Sequence, residues 1–69
     1  MGSEEVLLFM IDYITTSLKE LEVMTVAGTL RPFHAGMKTA FVEALELIQR
    51  WEHAKENGLD YDIELNFPV

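Results

Sequence analysis

The sequence predicts an all-α fold: an antiparallel helical hairpin with an extended C-terminal tail, dimerising into a four-helix bundle. Three observations carry this. Two stretches of about 25 residues place apolar side chains at helical spacing. A single short turn, Gly28 to Arg31, separates them. The segment 59–69 then switches to strict alternation of apolar and polar residues. The hairpin therefore spans 1–58 and the tail 59–69.

The first helix is expected from about Ser3 to Ala27. Ser3 suits an N-cap, and Glu4 and Glu5 suit the positive end of the helix dipole. Val6, Met10, Tyr13, Ile14, Leu18, Leu21 and Met24 then recur on one side, and Asp12, Thr15, Thr16, Lys19 and Glu22 lie opposite. Leu8 and Val23 fall on that polar side. Gly28 reads as a C-terminal stop.

The second helix is expected from about Pro32 to Asn57. Thr29 or Arg31 caps it, and Pro32 fits its first turn. Phe33, Met37, Ala40, Phe41, Ala44, Leu45, Leu47, Ile48 and Trp51 share one face. Lys38, Thr39, Glu43, Glu46, Gln49, Arg50, His53 and Glu56 share the other. Asn57-Gly58 is a strong stop. Gly36, unfavourable inside a helix, is read as allowing a neighbouring helix or the tail to approach closely.

In the tail, Leu59, Tyr61, Ile63, Leu65 and Phe67 alternate with Asp60, Asp62, Glu64 and Asn66, and Pro68 blunts the end. This is the pattern of an extended segment with one apolar side. Such a segment can wrap its own dimer or add to the sheet edge of another protein.

Composition narrows the function. The chain has 69 residues and no cysteine, with 12 acidic and 5 basic side chains and a net charge of -7. A chain this short buries only about 60% of its unfolded surface, so a small core needs support. Without cysteine that support is not a disulfide or a thiolate metal site. A partner subunit remains the default. The charge argues against direct nucleic-acid binding and against an anionic membrane surface. The longest apolar run, Val6 to Ile11, is far too short to span a bilayer. A cytoplasmic location is expected.

The apolar arcs then matter. A two-helix seam needs a narrow stripe, about two positions in seven. Here each arc covers roughly half the wheel. A lone hairpin would expose more apolar surface than a monomer ordinarily carries. Met10, Ile14, Leu18, Met37, Phe41, Ile48 and Trp51, with Tyr61, Ile63, Leu65 and Phe67 of the tail, are therefore expected to face a second chain or the tail.

Catalytic and metal chemistry find little support. His34 has Met37 and Lys38 as its helical neighbours, not carboxylates. Glu46, Gln49, His53 and Glu56 recur at helical spacing, but on the polar face, whereas bundle metal sites point inward. Ser3 and Ser17 have no His or Asp at motif spacing, and Ala27-Gly28-Thr29 lacks a phosphate-loop frame. No catalytic residue, cofactor or metal ligand is assigned. The expected function is a small non-enzymatic protein-interaction module, a dimeric adaptor or regulator of the short phage or mobile-element type. The alternative is an acidic inhibitor or decoy that occupies the basic groove of a nucleic-acid-binding protein, steered there by charge.

Overall fold

A computed structural model describes residues 2–69. Three α-helices follow in order: α1 (Ser3–Ala27), α2 (Pro32–Ile48) and the short α3 (Ile63–Asn66). One 3-10 turn, Lys55–Asn57, lies between α2 and α3. There is no strand among the described residues.

α1 occupies the span its apolar spacing calls for. Gly2, not Ser3, takes the N-cap position, with no side-chain cap, and Glu4 and Glu5 sit in the first turn. The helix ends at Gly28, whose φ of 73° is the left-handed conformation that glycine adopts without a Cβ clash. The Gly28 N–H donates to Thr25 O and the Thr29 N–H to Met24 O, which satisfies two of the last carbonyls of the helix.

At the start of α2 the backbone cap is Arg31. Its N–H donates to His34 Nδ1 at 3.4 Å, and the His34 N–H donates to Arg31 O at 2.9 Å. The imidazole thus stands where a capping box usually has Glu or Gln. Pro32 at the first helical position loses no hydrogen bond there.

The expectation of a helix continuing to Asn57 is corrected. α2 stops at Ile48. The chain goes on in short i+3 turns: Arg50 N to Leu47 O, Trp51 N to Ile48 O, Ala54 N to Trp51 O and Asn57 N to Ala54 O. The tighter path bends the chain back over its own core and buries Ala54 completely. Gly58, at φ 97°, closes the bend, with Leu59 N donating to Ala54 O at 3.0 Å.

The extended tail is corrected too. The segment bends at Tyr61 and forms α3, capped by Asp62, whose Oδ1 accepts from Leu65 N at 3.2 Å. Leu59, Ile63 and Phe67 are buried, four residues apart, and Leu65 points outward. The alternating pattern contains this period-four subset, and burial selects it.

The core is one cluster. Ile14 and Leu18 of α1 meet Val42, Leu45 and Ile48 of α2, with Ala54, Leu59, Ile63 and Phe67 closing it from the C-terminal side. Leu18, Leu45, Leu59 and Ile63 have almost no exposure, and each contributes on the order of 1.5–3 kcal/mol of apolar burial. α1 and α2 also meet through Tyr13 and Phe41, edge to face at 6.3 Å, and through Glu22 and Lys38.

Candidate functional site

Two surfaces flank the seam between α1 and α2, and the tail covers one of them. On that side Leu8, Ile11, Asp12, Thr15 and Lys19 of α1 line a cleft against Asn57, Leu59, Tyr61, Asn66 and Phe67. Gln49 of α2 fixes the tail. Its side-chain amide donates to Leu59 O at 3.1 Å and to Tyr61 O at 2.8 Å. Burial pushes the Tyr61 phenol above its ordinary pKa, and the neighbouring Asp60 carboxylate adds to the effect.

Several polar side chains of this cleft are already engaged. Thr15 Oγ1 donates to Ile11 O, Asn57 Nδ2 to His53 O and Asn66 Nδ2 to Asp62 O. Each satisfies the backbone four residues before it instead of reaching into the cleft. The cleft therefore reads as the seam where the tail seats.

The opposite side has no such cover. On α1, Tyr13 lies about 160° around the helix from Thr15. Tyr13, Ser17, Glu20 and Met24 face a groove shared with His34, Met37 and Phe41 of α2. By helical spacing Val6, Phe9 and Met10 share the Tyr13 side of α1, and Phe33, at the start of α2, is exposed like them. These apolar residues are 41% to 65% exposed, apart from Met24 and Phe41, which are half-buried. Glu20 lines the groove between α1 and α2, and Glu5 and Asp12 lie beside Phe9.

The total surface is also somewhat larger than the chain's mass calls for. The accessible surface is 4838 Å² for a chain of 7.9 kDa, whereas a compact monomer of that mass carries about 4,400 Å². Further exposed apolar residues, Val23 and Val26, lie on α1 with Lys19, Glu22 and Phe67 around a second apolar hollow, beside the tail.

The residues expected at an interface divide into three groups. Ile14, Leu18, Ile48, Ile63 and Phe67 are buried in the chain's own core. Phe41, Trp51 and Tyr61 pack partly against that core. Met10, Met37 and Leu65 are exposed. Met10 and Met37 border the uncovered groove, and Leu65 stands on the outer side of the tail.

Three structurally engaged residues were assigned by sequence to polar faces or alternations. Lys38, placed on the solvated face of α2, is buried, with Nζ 2.8 Å from Glu22 Oε2. Gln49 holds the tail. Asp62 caps α3, and the signal for it was an Asp ahead of an acidic first turn. The proposed close approach at Gly36 is also corrected: a Cβ there would meet nothing within 4 Å.

The histidines sit apart. His34 caps α2 and stacks on Phe33 at 3.9 Å. His53 lies between Glu52 and Glu56 at 3.5 and 3.4 Å, with the Trp51 ring edge-on at 5.5 Å. Among the described residues no group of three or more His, Asp and Glu is placed to hold a metal ion. None of the described helices is long and apolar enough to cross a membrane. No protein-family model matches this sequence, and neither a curated protein nor a solved structure matches it.

Proposed function

We propose that the chain is a non-enzymatic helical interaction module: an antiparallel α1–α2 hairpin that works as a homodimer with a four-helix core, as an adaptor or regulator. The observation that supports this reading is the uncovered apolar groove between α1 and α2, bordered by Tyr13, Met24, Met37 and Phe41. The order of contacts fits a hairpin: Glu22, late in α1, meets Lys38, early in α2, while the earlier Tyr13 meets the later Phe41.

Apolar surface of this kind gains free energy by leaving water, and it does so only against another surface. The tail already occupies the far side of the hairpin through Leu59, Ile63 and Phe67. The free side is then the one that holds on to protein.

Urea unfolding of the full chain at two protein concentrations, about a hundredfold apart, tests the homodimer. Unfolding coupled to dissociation raises the midpoint at the higher concentration by mass action. A midpoint independent of concentration is the behaviour of a chain that folds alone and contradicts the reading.

A further inference from the structure

We infer that a second copy of this chain docks on the tail-free face, so that the four helices pack inside and the two tails lie outermost. This rests on the homodimer reading and assigns the face it uses.

Area is the first argument. Taking about 200 Å² for each aromatic side chain, Phe9, Tyr13 and Phe33, at 62% to 65% exposure, leave roughly 380 Å² open, and Val6, Met10 and Met37, at 41% to 43%, add to it. Ser17, Glu20 and Met24 add a partly polar border. A stable two-partner interface uses about 800 Å² from each side. With that border the face approaches this figure, and it lies toward the upper end of what a soluble monomer ordinarily leaves bare.

Charge is the second argument. The chain carries -7, so two copies associate only where their carboxylates can stay apart. Glu20 is the one carboxylate in the groove itself, and Glu5 and Asp12 border the face beside Phe9. The tail carries Asp60, Asp62 and Glu64, all exposed, with no Lys or Arg in the segment 59–69. Docking through the tails would press six of these carboxylates together. Docking through the free face puts the tails on opposite outer sides. A basic partner, by contrast, would be drawn to the acidic tails before an apolar groove.

Within the single chain Tyr13→Glu and Phe33→Glu remove one described ring contact between the helices, Tyr13 against Phe41. Tyr13 and Phe33 are both more than half exposed in the single chain, and a carboxylate at Phe33 sits in the first turn of α2, where the helix dipole favours it.

The test is sedimentation equilibrium of the full chain and of Tyr13→Glu, Phe33→Glu and Val26→Glu, with helicity followed by circular dichroism. Val26 is 84% exposed and lies off this face. The expected result is a dimeric wild type, a dimeric Val26→Glu, and Tyr13→Glu and Phe33→Glu that keep their helicity but weaken dimerisation at least tenfold. A monomeric wild type overturns the homodimer reading and this face with it. A dimer that survives Tyr13→Glu and Phe33→Glu but is broken by Val26→Glu keeps the homodimer and overturns the face. Should a glutamate variant unfold, a benzophenone side chain at Phe33 or at Leu65, which changes no charge, decides the matter. Photo-crosslinked dimer from Phe33 and none from Leu65 supports the assignment. The reverse pattern, or no crosslink from Phe33, contradicts it.

Discussion

Lys38 and Glu22 form an ion pair whose two ends differ in their access to water. The lysine side chain is 8% exposed and the glutamate 42%. Removing either end therefore has unequal consequences. Glu22→Ala leaves an ammonium buried without its partner and is expected to cost about 1–3 kcal/mol. Lys38→Met keeps the packed aliphatic stem, buries no charge and lets the half-exposed Glu22 turn to water. It is expected to change stability by less than about 1.5 kcal/mol. Urea midpoints of the two variants check the asymmetry, and equal losses would contradict it. Gln49 is the second such position. Gln49→Ala takes away both hydrogen bonds that hold Leu59 O and Tyr61 O, and is expected to cost about 1–3 kcal/mol. The loss should be localised: amide exchange in 59–67 should speed up more than in α1.

The three helices differ in how far local pattern decides them. α1 was legible because its signals agree: apolar spacing, acidic first turn and a glycine in the left-handed conformation at the end. The end of α2 was not legible. No breaker stands between Ile48 and Asn57, and the apolar series continues smoothly to Trp51. What ends the helix there is tertiary: the bend lets Ala54, Leu59, Ile63 and Phe67 reach the core. The tail misled for a related reason, since its period of two contains the period of four that burial uses. The free groove was partly legible. The wide arcs signalled surplus apolar surface, but sequence alone does not say which part the tail covers.

Two outcomes follow at the level of these elements. Gly36 is exposed inside α2, with open space where a Cβ would stand. Gly36→Ala is expected to stabilise by about 0.5–1 kcal/mol, a rise of several degrees in Tm. Tyr61 ties tail stability to alkaline pH. Its phenol is held above the ordinary 10.0, so the folded state favours the neutral form. The associated stability is complete below pH 10 and is lost as pH rises through the folded value. Comparison of wild type with Tyr61→Phe from about pH 9 to 11 checks this: the wild type should lose more stability than the variant over that range.

At the scale of the whole molecule, the tail packs along one flank of α1 and α2 and leaves the other without such cover. The tail uses Leu59, Ile63 and Phe67 to close one side, and Gln49 pins it. The groove beside Tyr13, Met37 and Phe41 has no equivalent cover. Small cores gain little stability alone, and in the proposed dimer a second copy on this groove adds buried apolar surface without adding a residue to the sequence. The same arrangement keeps the acidic tails outermost, where water and salt screen them. The most direct measurement is the mass of the full chain by sedimentation equilibrium near neutral pH. The account predicts a species of twice the 7.9 kDa chain mass that dissociates on dilution; a mass of one chain at every concentration would contradict it.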